Sequence, residues 1–348
     1  MTSKTSVTDI IKSVSSNAIV VLVTGSNGLV GEGFKAAISL LPVKERDKYI
    51  FFFATRENAN LENANECQAL FERVKPTVVL HLAAYVGGLY ANMSRPVDFF
   101  EKNMIMQINI LRSSAYCCTV KRVVSCLSTC IYPDVTTYPI EEQFLHMGKP
   151  HDSNFAYAYS KRMAEVLGRA YEKQYGIECI NICPTNVYGA HDNFSLKNGH
   201  VIPSLIHKCY KAIKNKRDFE VRGTGKPLRQ FIYNVDLGKL LFNIMKKEKL
   251  QHKIYILSTP PKFEISIKAI AELILESFTN FDHAFHTREE KHKISICWNA
   301  SQSDGQLKKT VSVKRLYDEF GNIEFTDIKK GIFDTVSWFN NNFSEARK

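Results

Sequence analysis

The chain has 348 residues, of which 45% are hydrophobic and 23% charged, a balance typical of a globular protein large enough for two domains. No apolar stretch approaches the roughly 18 residues that a membrane-spanning helix needs, so we expect no membrane insertion. The formal net charge of +11 permits nucleic-acid binding. The basic residues are dispersed, however, and we expect an anionic small ligand such as a phosphate instead.

Residues 19–190 alternate short apolar strands with helices. Near-continuous apolar strands separated by helices are typical of a parallel sheet covered on both faces. The expected fold class is therefore α/β, with a doubly wound parallel sheet. The predicted elements, in chain order, are a strand at 19–23, a helix ending near 41, a strand at 49–54, a helix around 70–74, a strand at 77–84, a helix at 97–116, a strand at 122–127, a helix at 156–175 and a strand at 178–183.

The pattern changes at both ends of this region. Residues 1–18 lack the apolar core of a signal peptide, and we expect them to be disordered. After residue 190, loop-like sequence leads to a helix at 201–214, and the stretches 229–237 and 253–258 resemble strands that return to the sheet. The predicted domains are a dinucleotide-binding domain over 19–190 and about 229–259, and a smaller mixed α/β substrate domain over about 191–228 and 260–348.

The first strand runs directly into a glycine-rich loop, VLVTGSNGLVG at 21–31. The Gly-x-x-Gly-x-x-Gly spacing allows a tight turn, close approach of the backbone to a pyrophosphate, and a helix N-terminus aimed at the phosphates. The spacing alone is weak evidence, but its position between a strand and a helix argues against a merely structural turn. We predict that a dinucleotide cofactor contacts Gly25, Ser26, Asn27, Gly28, Leu29, Val30 and Gly31.

The second strand ends in FFFATREN, which places Arg56 where an acidic residue commonly holds the ribose 2′-hydroxyl of NAD. A guanidinium there suits the 2′-phosphate of NADP, because its fork can bind a phosphate through two hydrogen bonds. The adjacent Glu57 argues in the other direction. The sequence favours NADPH/NADP and leaves NAD as the alternative.

A Tyr-x-x-x-Lys pair, Tyr157 and Lys161, opens the predicted helix at 156–175. Residues four apart share a helix face, so the Lys ammonium would favour the phenolate and let Tyr157 exchange a proton with a carbonyl oxygen. Ser128, at the end of the preceding strand, would hydrogen-bond the same oxygen. Tyr159 competes for this role on spacing, but it has no Lys four residues later.

The nine cysteines include no Cys-x-x-Cys pair and match no zinc spacing, so we expect no metal site. Several lie within apolar runs, where Cys behaves as a small hydrophobic residue. Because unpaired cysteines indicate a reducing compartment, we expect the protein to be cytoplasmic.

Six motifs follow one another along the chain: HLAAYVGGLYANMSRP, VVSCLSTCIYP, PHDSNFAYAYSKRM, PTNVYGAHDNF, GHVIP and SDGQLKK. From about residue 19 to its C-terminus the chain resembles the GDP-L-fucose synthase family of the extended short-chain dehydrogenase/reductase superfamily, whose fold is Rossmann-type. The resemblance implies NADPH-dependent conversion of GDP-4-keto-6-deoxy-D-mannose to GDP-L-fucose. The reaction combines epimerisation at C3 and C5 with reduction of the C4 ketone.

The resemblance implies roles for individual residues. Cys130, directly before Ile-Tyr-Pro, and His200, directly before Val-Ile-Pro, would take and return the protons at C3 and C5. Tyr157 would protonate the C4 oxygen, with Lys161 lowering its pKa and holding the nicotinamide ribose. Ser128 would position the same oxygen.

Both proton carriers have a structural alternative. Taken alone, Cys130 is interpreted as a small buried residue, as we assume for Cys126 and Cys183, and His200 as an ordinary loop histidine. His191, in AHDNF, is the rival of His200, and we expect it to be structural or a lesser substrate contact.

Further contacts follow from the same resemblance. Lys208, Arg229 and Asp304 match positions that hold the GDP-sugar. Arg222 stands where the family often has Trp, and it would stack or add a phosphate contact. Asn186 would face both substrate and cofactor. The nicotinamide side of the cofactor would be lined by Lys161, Pro184, Thr185, Asn186, Val187 and His200.

The family usually dimerises through two helices per subunit, here 97–116 and 156–175, so we predict a homodimer. A second hypothesis is a reductase or epimerase for another keto-deoxy sugar nucleotide. A third is an NADPH-bound scaffold without catalytic activity, against which the complete set of proposed catalytic residues argues. In each case the expected ligand is a nucleotide sugar or NADPH, with no nucleic acid and no membrane.

Overall fold

The structure of the protein is a computed structural model that describes residues 18–281, 294–301 and 306–348. The predicted N-terminal segment therefore lies, except for residue 18, outside the described residues. The strands are β1 (Ile19–Thr24), β2 (Tyr49–Phe53), β3 (Val78–His81), β4 (Arg122–Cys126), β5 (Glu178–Pro184), β6 (Asn186–Tyr188), β7 (Phe219–Arg222), β8 (Leu228–Arg229), β9 (Phe231–Tyr233), β10 (Ile254–Leu257), β11 (Ile265–Ser266) and β12 (Ile296–Asn299). The helices are α1 (Leu29–Ser39), α2 (Val43–Arg46), α3 (Ala64–Val74), α4 (Leu89–Ser94), α5 (Pro96–Tyr116), α6 (Phe155–Tyr175), α7 (Val201–Lys214), α8 (Asn234–Lys246), α9 (Ile267–Phe281), α10 (Lys314–Phe320) and α11 (Ile328–Asn341).

Six strands form a central parallel sheet in the order β10-β5-β4-β3-β1-β2. The order runs outward from β1 in both directions, which is the doubly wound arrangement. The predicted α/β fold class is therefore confirmed. Such an arrangement leaves a crevice at the carboxyl ends of the strands, where the connections diverge.

Side chains of β1 alternate between the two faces of the sheet, as the period of a strand requires. Val21 and Val23 belong to a buried cluster that includes Leu241 of α8, whereas Leu22 belongs to a second cluster with Phe71 of α3. All five are fully buried. Burial of each contributes roughly 1.5–3 kcal/mol, so both faces of the sheet hold their helices in place.

The stretch 229–237 differs from its prediction as one strand of the main sheet. Arg229 ends β8, which pairs with β11, and β9 pairs with β6 in a separate two-stranded sheet. From Asn234 onward the chain is helical, because Leu237, Leu241 and Ile244 recur at helical spacing and are buried against the sheet. The second predicted strand is confirmed, since β10 pairs with β5 at the edge of the sheet.

The second half of the chain builds a separate buried cluster beside the sheet. This cluster packs α7, α9 and α11 against β7, which pairs in parallel with β12. Val313 and Leu316 nevertheless pack into the core of the main sheet. The division into two domains at the boundaries given above stays a prediction. Within the described residues, no helix has the length and apolar character required to cross a membrane.

Candidate active site

A cavity of about 860 Å³ lies at the carboxyl ends of the central strands. It extends from the glycine-rich loop before α1 to the loop before α7. The structure therefore brings together residues that are more than 170 positions apart in the chain. The predicted residues that line it are Gly25, Ser26, Asn27, Gly28, Leu29, Val30, Arg56, Ser128, Cys130, Tyr157, Lys161, Pro184, Thr185, Asn186, Val187 and His200.

The glycine-rich loop is shaped by close backbone contacts. Gly25 has a positive φ of 68°, and a Cβ there would lie 2.6 Å from the backbone nitrogen of Ala83. Gly31 does not line the cavity, because it lies in the first turn of α1, where a Cβ would be 2.6 Å from the carbonyl oxygen of Gly25. Gly28 is the N-cap of α1 and provides no side-chain cap, so first-turn N–H groups are available to an anion. The loop is a cradle that fits a pyrophosphate.

Arg56 lies just beyond the end of β2 on the rim of the cavity and is exposed. Glu57 lines the same rim. The Ser26 hydroxyl donates a hydrogen bond of 2.9 Å to the carbonyl of Ala54, which fixes the glycine-rich loop against the end of β2. The guanidinium and the loop thus border one continuous space, as binding of a phosphorylated dinucleotide requires.

Ser128 and Cys130 follow β4 in a single 3-10 turn over Thr129–Ile131. The Ser128 hydroxyl accepts a hydrogen bond of 3.4 Å from the backbone N–H of Cys130. Burial raises the pKa of the Cys130 thiol, while the nearby Lys309 opposes the rise. The small polar residues therefore lie at the cavity wall, where a hydroxyl and a thiol can both reach a bound ligand.

Tyr157 and Lys161 lie one turn apart near the start of α6. The Lys161 Nζ donates a hydrogen bond of 2.8 Å to the carbonyl of Cys126 and lies 5.9 Å from the centre of the Tyr157 ring. Burial raises the pKa of Tyr157 well above its ordinary value, in contrast to the sequence expectation that Lys161 would favour the phenolate. Desolvation is the largest cause of this rise, and it favours the protonated phenol.

Tyr159, the competing tyrosine, does not line the cavity. Its ring packs under the guanidinium of Arg162, whose carbon lies 5.5 Å from the ring centre. The geometry therefore favours Tyr157 over Tyr159 as the phenol that meets a ligand.

His200 precedes α7 and lines the cavity, where its side chain remains accessible. The surrounding protein lowers its pKa, because desolvation disfavours the imidazolium. The rival His191 does not line the cavity; it has a positive φ of 65° and its ring centre lies 4.4 Å from that of Trp338. The structure thus places His200, and not His191, at the cavity.

Asn186 follows β5 and begins β6 at the cavity. Its side-chain amide donates a hydrogen bond of 3.0 Å to the carbonyl of Gln230. Thr185 is anchored through its hydroxyl to Ser258, 3.1 Å away. The segment from Pro184 to Val187 therefore forms a fixed wall of the cavity.

Two of the residues predicted to hold the GDP-sugar, Lys208 and Arg229, do not line this cavity. Lys208 lies on α7, two turns after His200, and burial followed by the charge of Arg222 lowers its pKa. Arg229 donates a hydrogen bond of 2.6 Å to the carbonyl of Gln306, and burial lowers its pKa. Asp304 lies outside the described residues.

Several charged residues that were not predicted as site residues line the cavity, among them Asp192, Lys309 and Arg347. Asp192 and Lys309 lie in motifs that the sequence analysis quoted, whereas Arg347 is the second-last residue and carried no signal. One Asp192 oxygen accepts a hydrogen bond of 2.7 Å from Asn193, while the other is buried with no partner among the described residues. Burial raises the pKa of Asp192 to about 7, and Arg347 opposes the rise.

The sequence from residue 21 to residue 257 matches the model of the NAD dependent epimerase/dehydratase family. A GDP-L-fucose synthase from Dictyostelium discoideum is 44% identical over 334 residues, which span 94% of this chain and 97% of that protein. This chain belongs to the GDP-L-fucose synthase family. The resemblance drawn from the six motifs is confirmed.

Other members of the family agree along the whole chain. A probable GDP-L-fucose synthase from Drosophila melanogaster is 39% identical and matches 94% of this chain and 99% of its own. The solved structure of a GDP-L-fucose synthetase from Naegleria fowleri bound to NADP has a TM-score of 0.85 and 39% identity, and it covers 96% of each chain. In the described part of this chain, no group of three or more His, Cys, Asp or Glu side chains is arranged to hold a metal ion.

Proposed function

We propose that this protein converts GDP-4-keto-6-deoxy-D-mannose to GDP-L-fucose by epimerisation at C3 and C5 and NADPH-dependent reduction at C4. One observation carries the proposal: a single cavity is lined by the glycine-rich loop, Arg56 and all five of the predicted catalytic side chains. A cofactor on the loop and a keto sugar against those side chains would therefore share one space. Family membership supplies the substrate class.

The residues of the cofactor end fit NADPH, which when bound supplies a hydride to C4. The first-turn N–H groups of α1 and the close-packed glycines would hold its pyrophosphate. Arg56 would bind the 2′-phosphate, with Glu57 beside it. The NADP-bound relative supports this choice of cofactor over NAD.

Epimerisation requires one group to remove a proton from carbon and another to return one on the opposite side. The C4 ketone acidifies the C–H bonds at C3 and C5. Cys130 and His200 reach the cavity from two different segments, one after β4 and one before α7. Because desolvation by the surrounding protein lowers the pKa of His200, its imidazole is neutral near pH 7 and can accept or pass a proton. We assign the two proton transfers to this pair.

Reduction requires a proton donor at the C4 oxygen. Tyr157 suits this role because burial keeps its phenol protonated until negative charge develops on the oxygen. Lys161 is fixed by the Cys126 carbonyl and would stabilise the phenolate that remains after proton transfer. The Ser128 hydroxyl would hold the same oxygen in place.

The nucleotide would extend beyond the catalytic cavity toward Lys208, Arg222 and Arg229. Burial and the nearby charge of Arg222 lower the pKa of Lys208, and two cations so close together make this surface suitable for a diphosphate. Asp304 remains a candidate contact to the base or sugar.

A second candidate substrate is another keto-deoxy sugar nucleotide. Arg222 stands where the family often has Trp, and a GDP-L-colitose synthase from Yersinia pseudotuberculosis is 28% identical over 92% of this chain. That relative acts in the synthesis of a different sugar nucleotide, as its name states. The side chains at the sugar end of the cavity would decide between these two candidate substrates.

A coupled assay tests the proposed function. Purified protein is incubated with GDP-4-keto-6-deoxy-D-mannose and NADPH, and both the nicotinamide absorbance and the sugar product are followed. Oxidation of NADPH with GDP-L-fucose as product is the expected result. An unepimerised 6-deoxy sugar would retain the reductase and remove the roles of Cys130 and His200. No oxidation despite NADPH binding would favour another nucleotide sugar or the scaffold hypothesis.

We also infer a cytoplasmic location and a homodimer. The nine cysteines are all free, which suits a reducing compartment. Helices α5 and α6 pack against each other and expose apolar side chains that include Phe100, Ile105 and Val166. Two copies of this helix pair would cover these side chains in a four-helix bundle. A monomer mass in light scattering at micromolar protein would refute the dimer.

A further inference from the structure

The 191–200 loop joins β6 to α7 and ends at His200, the residue that caps that helix. Four of its residues line the cavity: Asp192, Asn193, Asn198 and His200. Apart from one isolated β-bridge at Asn193, the loop has no strand or helix of its own. Its position at the cavity must therefore be set by contacts with other segments.

Arg347 holds this loop at two points. The backbone N–H of Phe194 donates to the carbonyl of Arg347 over 2.8 Å, and the two segments form a parallel bridge between Asn193 and Arg347. The Arg347 guanidinium donates a second hydrogen bond, to the carbonyl of His191. Because these two points are three residues apart, Arg347 spans the part of the loop that brings Asp192 and Asn193 to the cavity.

Arg347 is itself anchored through its neighbour to α11. The backbone N–H of Ala346 donates to the carbonyl of Asn342 over 2.8 Å, and Ala346 is buried in the cluster that contains α7, α9 and α11. The ring of Trp338, on α11, lies 4.4 Å from that of His191, measured between ring centres. The loop is thus fastened to a buried part of the molecule and not to another exposed loop.

Contacts within the loop connect this anchor to His200. The backbone N–H of Gly199 donates to the carbonyl of Ser195 over 2.8 Å, and the N–H of Ser195 donates to the side chain of Asn193 over 3.1 Å. A Cβ on Gly199 would lie 2.5 Å from the carbonyl oxygen of Asn193. Gly199 therefore packs directly on the residue that bridges to Arg347, and His200 follows it in the chain.

We propose that Arg347 is a positioning residue for His200, because it fixes the 191–200 loop from which the imidazole enters the cavity. Transfer of a proton to or from a sugar carbon requires the imidazole to lie within close reach of that carbon. A loop without its anchor would place His200 less precisely. The effect on proton transfer rests on the proposed function, whereas the hold of Arg347 on the loop does not.

The first test uses the free full-length protein without substrate or cofactor. Amide hydrogen–deuterium exchange is followed by mass spectrometry in the wild type and in Arg347→Ala. Peptides that cover residues 191–200 should exchange about tenfold faster or more in the variant, since the loop loses a hydrogen bond from a charged donor. Peptides from the glycine-rich loop at 25–31 should exchange at the wild-type rate. Unchanged exchange over 191–200 would overturn the proposal.

Two variants control for general effects. Lys348→Ala is the matched control, because the Lys348 ammonium lies 3.8 Å from the centre of the Phe343 ring and donates to the carbonyl of Phe343. It should leave exchange over 191–200 unchanged. Arg347→Lys keeps a charged donor for the His191 carbonyl and should restore most of the protection. Faster exchange throughout the molecule in Arg347→Ala would indicate a general loss of stability and would overturn the proposal.

A second test measures the chemistry in the same variants. Incorporation of solvent deuterium at C3 and C5 of the keto sugar should fall about 10- to 100-fold in Arg347→Ala, because a displacement of about 1 Å can cost about 10²-fold in rate. NADPH affinity should stay unchanged, and the share of unepimerised 6-deoxy sugar among the products should rise.

Two results of this second test would refute the proposal. One is wild-type deuterium incorporation despite faster exchange of the loop. The other is a higher KM for the nucleotide sugar or weaker NADPH binding with wild-type exchange over 191–200, which would make Arg347 a ligand contact only. Failure of the coupled assay in the wild type would affect the proposed function, but the exchange measurement would still decide whether Arg347 holds the loop.

Discussion

The two ends of the cavity are built in different ways. The cofactor end is made by backbone: a loop with Gly25 at positive φ, closed from behind by Gly31 at the start of α1. The catalytic end is made by side chains that come from separate segments, such as Cys130, His200 and Lys309. Binding at the cofactor end should therefore be sensitive to added atoms. Chemistry at the catalytic end should be sensitive to the loss of functional groups.

The largest expected effect is at the catalytic end. Tyr157→Phe removes the proton donor for the C4 oxygen and should reduce the rate of NADPH oxidation by about 10²–10⁴-fold. Epimerisation, measured by deuterium incorporation from solvent, should continue. Tyr159→Phe is the matched control, because Tyr159 packs on Arg162 outside the cavity. Normal fucose formation by Tyr157→Phe would remove this residue from the mechanism.

Whereas Tyr157→Phe should impair reduction, Cys130→Ser should impair epimerisation. A serine hydroxyl is a much weaker acid than a thiol, so deuterium incorporation should fall by about 10²-fold or more. NADPH affinity should stay unchanged, because the cofactor end does not use this side chain. Cys117→Ser, at a half-buried thiol outside the cavity, is the control. Equal losses in both variants would indicate a structural effect.

Gly31→Ala tests the claim that the cofactor end depends on backbone packing. The added methyl group would lie 2.6 Å from the carbonyl oxygen of Gly25, so the loop must move. We expect NADPH affinity to fall about 10- to 100-fold, measured by fluorescence titration. Gly88→Ala is the control, since a methyl group there would meet its nearest neighbour, Asn198, at 3.4 Å. Unchanged affinity in Gly31→Ala would contradict the comparison.

The same contrast explains how much the sequence could predict. The glycine-rich loop and the parallel sheet follow from local patterns, since strand, turn and helix are adjacent in the chain. The pair Tyr157 and Lys161 was also predictable in position, because spacing within one helix fixes a shared face. The direction in which the pKa of Tyr157 shifts was not predictable, because burial by segments distant in the chain decides it.

Residues contributed by distant segments were missed for a related reason. Arg347 reaches the cavity because its backbone forms an isolated β-bridge with Asn193, a contact without local signal. The first turn of α8, residues 234–237, was predicted as strand because Phe231–Tyr233 ends immediately before it, with no glycine or proline to mark the change. Tertiary contacts, and not the intrinsic secondary-structure propensities of the residues, determine both the position of Arg347 and the start of α8.

At the cofactor end, the side chain of Arg56 is expected to contribute to NADPH binding. Arg56→Gln removes the positive charge from the rim and should weaken NADPH binding by about tenfold or more, because hydrogen bonds to charged groups contribute about 1.5–3 kcal/mol. NADH affinity should stay nearly the same. Glu57→Gln should not weaken NADPH binding. Parallel losses for NADPH and NADH would mean that Arg56 does not read the 2′-phosphate.

The smallest expected effect concerns Asp192 and the pH dependence of stability. Burial raises its pKa from 3.8 to about 7, so between these values the folded protein binds more protons than the unfolded chain. Stability from this group is complete below about pH 4 and is lost as pH rises through about 7. Asp192→Asn removes the free-energy cost of burying a carboxylate at high pH. Each kcal/mol of unfolding free energy that is recovered should raise Tm by about 2–4 °C.

We therefore expect Asp192→Asn to melt about 2–4 °C above the wild type at pH 8, with little difference at pH 4. The carbonyl oxygen of the new amide can still accept the hydrogen bond from Asn193 that Asp192 accepts. Asp318→Asn, at a carboxyl whose side chain is 49% exposed, should show no such pH dependence. A gain of equal size at both pH values would mean that the buried charge is not the cause. The unpaired oxygen of Asp192 would then be stabilised within the cavity in spite of its burial.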